Sequence, residues 1–327
     1  MAPDARVAAG GEPMTEKAMR MLFLGAGGTG GYFGGRAAQT GADVTFLVRE
    51  ARAQKLRRDG LRIKSPRGDA TLAPRLATAG DVGGAYDVVV LSCKAYDLES
   101  AIEAIRPAVG EHTAVLPIMN GVRQYDLLDQ AFGAQRVLGG LCQISATLGP
   151  DGEVVHMGPH ATLVYGERAG EPRSARCVAL EQALAGVDFT ARLSSQIYQD
   201  IWEKYVFLVT LAAATCLMRG PVGRIVSTDD GDAFMRALLR EAQQVAAANG
   251  HPVRAEADAA ALKVLTDPAS PVTASMFRDL SQGGKVEADH LVGDMVRRAD
   301  ALELDVPYLR LAYIHLQVYQ AQRAAAA

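Results

Sequence analysis

Apolar and polar positions change their rhythm once along the chain, near residue 193. Before that point, short apolar runs alternate with amphipathic stretches. Met21–Leu24, Asp43–Val48, Tyr86–Leu91, Thr113–Ile118 and Val137–Ala146 read as strands, several of them apolar without interruption, as buried parallel strands are. Pro117 must sit at a strand end, because it cannot donate to a ladder. Helices fit between them at about 28–39, Ala51–Asp59 (ended by Gly60), Asp97–Arg106 and Arg123–Phe132. Leu61–Lys64 and Ala70–Leu76 suggest a short pair around the Pro66-Arg-Gly68 turn, and Glu153–Gly158 with Ala161–Gly166 a hairpin around Pro159. A helix over Pro172–Leu184 and a last strand over Asp188–Leu193 complete this part. From Ser194 onward only helical periodicity remains, over Gln196–Met218, Asp230–Asn249, Ala255–Leu265, Val272–Leu280, Val286–Leu302 and Tyr308–Arg323. The expected architecture is an α/β, Rossmann-like, doubly wound sheet over 20–193 followed by an all-α domain over 194–327. Residues 1–19 read as a disordered extension with no continuous apolar segment of a signal peptide.

The first strand runs into Gly25-Ala26-Gly27-Gly28-Thr29-Gly30, and a helix follows. Gly25 allows the tight turn, Gly27 lets the backbone approach a pyrophosphate, and Gly30 permits close packing of helix on sheet. The helix N-terminus offers free N–H groups to phosphate. With a strand before it, a helix after it and a second strand beyond, the motif reads as a dinucleotide site rather than a structural turn. An NAD site usually has Asp or Glu at the end of the second strand. Here Arg49 stands there, followed by Arg52, which favours a 2′-phosphate and therefore NADP (NADPH). Ligands of doubly wound sheets lie beyond the carboxyl ends of the strands, which points to Lys94 and Asn120.

Composition narrows the field. The 327 residues suffice for two domains, and a net charge of -3 gives no footprint for nucleic acid. No unbroken apolar run reaches the ~18 residues of a membrane span. Four cysteines without metal-ligand spacing suit a reducing compartment, most simply the cytoplasm. His156, His160 and His290 show no ligand spacing, so no metal is assigned. The helical part is apolar on many faces, which is compatible with a homodimer, although no feature specifies one.

Ile197, Ile201, Lys204, Leu208, Leu211 and Thr215 fall on one helical stripe that is apolar except for the lysine. A buried lysine must pair or lose pKa, and catalysis uses such lysines to move protons. The plainer alternatives are snorkelling to solvent or an i,i+4 pair with Asp200. Glu287 reads as a first-turn residue favourable to a helix dipole, and Ser275 equally as a surface hydroxyl.

Taken together, Gly25–Gly30, Ser92-Cys93-Lys94-Ala95, Asn120-Gly121, Trp202-Glu203-Lys204, Ser275-Met276 with Asp279, and Glu287 resemble the ketopantoate reductase (2-dehydropantoate 2-reductase) family, from Met21 to about Tyr319. The resemblance implies an NADPH-dependent reduction of a 2-oxo acid to a 2-hydroxy acid, with ketopantoate to pantoate the leading candidate. It implies that Lys204 donates the proton to the substrate carbonyl and that Glu287 lies by the lysine and the cofactor. Lys94, Asn120 and Ala146 would line the cofactor pocket, and Ser275 would help hold the substrate carboxylate. On this reading Glu287 orients the Lys204 ammonium and keeps it charged.

The chain also departs from the family pattern. Leu208, Ala212, Val222 and Val272 stand where well-studied members carry asparagines that bind polar groups of ketopantoate. Each apolar replacement leaves a bound hydroxyl unpaired, at roughly 1–3 kcal/mol. A less polar carbonyl substrate is therefore a second expectation, with Thr273 an alternative source of the missing hydrogen bond. A third is a non-catalytic NADPH-binding sensor in which Lys204 and Glu287 form only a buried ion pair.

Overall fold

A computed structural model describes residues 18–326; the expected N-terminal extension lies, except for its last two residues, outside them. The elements in chain order are β1 (Arg20–Leu24), α1 (Gly28–Gln39), β2 (Asp43–Leu47), α2 (Glu50–Asp59), β3 (Leu61–Lys64), β4 (Ala70–Leu72), β5 (Arg75–Ala77), β6 (Val88–Leu91), α3 (Leu98–Ile105), β7 (Ala114–Pro117), α4 (Arg123–Phe132), β8 (Gly139–Leu148), β9 (Val154–Gly166), α5 (Ala175–Ala183) and β10 (Thr190–Leu193). Only helices follow: α6 (Ile197–Met218), α7 (Val222–Val226), α8 (Gly231–Ala248), α9 (Ala255–Leu265), α10 (Ser275–Ser281), α11 (Val292–Ala301) and α12 (Pro307–Ala325). The fold is a parallel-sheet α/β part followed by a helical part, as the hydrophobic rhythm predicts.

The parallel sheet has the order β5-β2-β1-β6-β7. Strands β6 and β7 are buried at every position, which explains their uninterrupted apolar runs. The chain order reverses at β1, so the crevice between the carboxyl ends of β1 and β6 is the switch point where such sheets take ligands.

Three expectations about strands are corrected. The segment around 137–146 meets the parallel sheet through a single parallel bridge, Val137 to Val115, and then leaves it; β8 pairs antiparallel with β9, and β3, β4 and β10 join them in a second, mixed sheet. The hairpin does not turn at Pro159. Strand β9 runs straight through it, and the reversal lies at 149–153, where Gly149 N–H donates to the Glu153 carbonyl over 2.8 Å. Pro159 is tolerated because the β8–β9 register jumps from Ile144↔Ala161 to Ala146↔His156, so no ladder bond is asked of it. Finally, Ala70–Leu76 splits at Pro74: β4 pairs with β3, while β5 crosses to the edge of the parallel sheet beside β2.

Helix α1 lies between the two sheets, and its glycines make this geometry accessible. A Cβ at Gly34 would stand 2.8 Å from the Phe46 ring of one sheet. One at Gly35 would stand 2.7 Å from Ile63 of the other, and one at Gly31 equally close to Val154. Glycine costs about 1 kcal/mol per helical position relative to alanine. Close packing on both flanks offsets it: Phe23, Phe33, Phe46, Ile63, Leu163 and Tyr165 form a core around the helix. On the other face of the parallel sheet, Leu22, Val89 and Val115 belong to a core that continues through α4 into α6, α8, α11 and α12.

Helix α6 is long and apolar enough, by length and composition, to cross a membrane; here its apolar side chains fill the centre of the helical part. Two helix starts fall later than expected. α10 begins at Ser275, because 270–272 bonds to the start of α7 (Val222 N to Val272 O, 3.1 Å; Gly223 N to Ser270 O, 2.9 Å). α11 begins at Val292, because 286–291 forms a separate turn docked on the parallel sheet. The short helix α7 was not anticipated.

Candidate active site

The glycine turn has the features of an anion cradle. Gly25 has φ +90°, a conformation that favours glycine. Nothing lies within 4 Å of a Cβ built on Gly27, so the turn is open above it. Gly28 packs against the Ala146 backbone, with a Cβ there 2.7 Å from its carbonyl oxygen. Gly30 has no room for a Cβ against Ser92 Oγ, which itself donates to Leu24 O over 3.1 Å. No side chain caps α1, and its first turn, which includes Thr29, holds no acidic residue. Its leading N–H groups therefore suit phosphate.

The two arginines after β2 behave differently. Arg52 spends its guanidinium on the carbonyls of Ala26 and Gly152, at 2.8 Å each, and so ties the glycine turn to the β8–β9 reversal. Arg49 has a side chain 82% exposed, engaged among the described residues only by a 3.4 Å pair with Asp97. Only Arg49 is left with a guanidinium to offer a ligand.

Beyond β6 and β7 the helical part reaches over the parallel sheet. Lys94 Nζ donates to Asp279 Oδ2 on α10 (2.8 Å) and to Glu287 Oε2 (3.3 Å). Glu287 Oε1 also accepts from the Ala95 N–H at 2.9 Å. Burial works against the Lys94 charge, but Glu287 and Asp279 outweigh it and hold its pKa above the usual lysine value. Ser275 is exposed and lies one turn before Asp279, on the same face of α10.

Lys204, on α6, donates to Asn120 Oδ1 over 3.0 Å. Among the described residues it has no carboxylate partner, and burial pushes its pKa down, opposed only weakly by Cys142. Asp200, the alternative partner, is taken by Arg254 and Arg192. The expected Lys204–Glu287 pairing is therefore corrected: Glu287 serves Lys94 and the Ala95 amide, and Asn120 holds Lys204. Nor is Glu287 in the first turn of a helix; it precedes α11 by five residues. Leu208 is half-buried one turn after Lys204 on the same face, while Ala212 and Val222 are fully buried in the core.

Sequence reasoning missed His290 and Gln124. Nε2 of His290 lies 3.0 Å from both the Asn120 carbonyl and Gln124 Oε1, and Gln124 Nε2 donates to Gly121 O over 2.8 Å. Their only signal was the placement of His290 one helical turn after Glu287.

Residues 21–170 match the profile of the family "Ketopantoate reductase PanE/ApbA", and residues 196–320 that of its C-terminal domain. The chain belongs to the ketopantoate reductase family. It is an oxidoreductase of that family. A "2-dehydropantoate 2-reductase" of Halobacterium salinarum is 30% identical over 89% of this chain and 96% of its own length. An "Uncharacterized oxidoreductase YkpB" of Bacillus subtilis is 38% identical over 93% of this chain and 100% of its own. Among solved structures, a PanE/ApbA family ketopantoate reductase from Ralstonia eutropha superposes with a TM-score of 0.84, at 26% identity over 94% of this chain and 100% of that one.

Proposed function

We propose that the chain reduces a 2-oxo acid to a 2-hydroxy acid with NADPH, ketopantoate to pantoate being the leading substrate. The observation that carries this reading is the Lys204–Asn120 pair, which holds a half-buried amine with no carboxylate partner among the described residues over the carboxyl end of β7. The open, uncapped glycine turn fits a pyrophosphate, with Gly25, Ala26, Gly27, Gly28, Thr29 and Gly30 as its cradle and Ala146 behind it. Arg49 would pair with a 2′-phosphate. Bound NADPH would supply a hydride to the keto carbon. As negative charge grows on the carbonyl oxygen, Lys204 stabilises it and delivers a proton. Its lowered pKa suits this role, since a weaker hold on the proton eases the transfer. Asn120 fixes the direction of the amine. Lys94, neutralised by Asp279 and Glu287, anchors the helical part over the sheet and helps exclude water. Ser275 and Leu208 would line the substrate side.

The substrate pocket favours a second reading within the same chemistry. Leu208 and Val272, both half-buried, offer no amide to a substrate hydroxyl, and Ala212 and Val222 lie in the core, which supports a less polar 2-oxo acid. Steady-state rates with NADPH and NADH against ketopantoate and 2-oxoisovalerate decide between the readings. A large kcat/KM advantage for ketopantoate rejects the second, and no turnover of any 2-oxo acid rejects both.

A further inference from the structure

The turn over 287–291 grips both strand ends of the site. Glu287 holds Lys94 and the Ala95 amide beyond β6, and three residues on His290 holds the Asn120 carbonyl beyond β7. The turn is closed by Leu291 N–H donating to Glu287 O over 3.0 Å, and is fastened to α6 by Tyr205 Oη, which donates to Leu291 O over 2.7 Å. Tyr205 is the neighbour of Lys204, so α6 carries both the amine and the post that steadies the turn.

The hydrogen-bond pattern fixes the state of His290. Both atoms at its Nε2 are acceptors, because the Gln124 amide nitrogen is committed to Gly121 O. Nε2 therefore carries the proton and donates to both. His290 is 7% exposed, and Gly121 is pressed against its ring, with a Cβ there 3.3 Å from His290 Nε2. Glu287 and Asp294 on its own stretch favour its charged form and Arg123 on α4 opposes it, but burial dominates and lowers its pKa, so the ring is held neutral.

We propose that His290 is a positioning residue for the proton donor: its Nε2–H pins the Asn120 backbone, and Asn120 Oδ1 in turn aims the Lys204 amine at the reacting carbonyl. The proposal rests on the reductase reading for its kinetic consequence, but not for its structural one.

Two substitutions and two NMR measurements test it. His290→Leu keeps bulk and removes the donor; His290→Gln restores an N–H near the Nε2 position. With the wild-type thermal midpoint as a check on folding, His290→Leu is expected to lower kcat about tenfold with KM for NADPH unchanged. His290→Gln is expected to recover most of that loss. Equal loss in both variants, no loss in either, or a rise in the cofactor KM alone would overturn the proposal. Two NMR measurements need no turnover. In the wild type, His290 should carry a proton on Nε2 near pH 7; a neutral ring with its proton on Nδ1 would overturn the proposal even if the variants fail to fold. In His290→Leu, Lys204 should titrate at lower pH than in the wild type, because its ammonium loses an aligned acceptor; an unmoved titration would count against the relay. If the protein reduces no 2-oxo acid, the reductase reading fails while the tautomer and the Lys204 titration still judge the positioning.

Discussion

On the proposed reading a single amine, that of Lys204, carries the chemistry, and its surroundings set the behaviour to expect of it. Lys204→Ala should lower kcat by about 10²–10⁴-fold in an NADPH-oxidation assay, with the cofactor KM little changed; undiminished turnover would remove the proton donor. The pH dependence has a definite sign. Carbonyl reduction needs the protonated amine, so kcat should fall as pH rises through the Lys204 pKa. Burial lowers that pKa, so the descending limb should lie below the ~10.4 of an ordinary lysine. Arg49→Ala should raise KM for NADPH about tenfold while leaving that for NADH nearly unchanged; equal effects on both cofactors would argue for an NAD site. Lys204, Lys94 and Asn120 were legible as candidates, because a charge on an apolar stripe and polar residues after buried strands stand out; Glu287 entered only through the family resemblance. The partnership of the four was not legible. Which of two lysines Glu287 serves depends on how α10 and the 287–291 turn fold back over the sheet, and no local pattern records that.

At the level of elements, the hydrophobic rhythm located most strands and helices. It failed where one residue type has two meanings. Pro159 looked like a turn and proved to be a strand residue at a register jump, while Pro74, unremarked, divides two sheets. Val286–Leu291 shares the apolar spacing of a helix, yet Glu287 and His290 bond to the loops beyond β6 and β7, and the regular helix starts six residues later. Of the α1 glycines only Gly30 was read for packing; Gly31, Gly34 and Gly35 prove to serve it too. Gly34→Ala should therefore destabilise the protein by about 1–3 kcal/mol, seen as a lower thermal midpoint, since its Cβ would meet the rings of Phe23 and Phe46. Gly41→Ala, with no neighbour within 4 Å of its Cβ, serves as the packing-free comparison; it carries only the strain of φ +91°.

Across the whole molecule, the sheet and the helical part share one apolar interior, in which Leu22, Val89 and Val115 are joined through α4 to Trp202, Met295 and Leu309. Heat or urea should therefore unfold both parts together: the fluorescence of Trp202, the only tryptophan, should trace the same transition as the backbone circular dichroism. Two separated transitions would contradict a shared interior. The placement of α1 between two sheets has a further kinetic consequence. A helix wedged on both flanks has no slack to take up, so on the proposed reading its amides already stand where a diphosphate would meet them. Stopped-flow mixing with NADPH should then give one exponential whose rate climbs linearly with cofactor concentration, whereas a plateau would reveal a rearrangement that this double wedge does not permit.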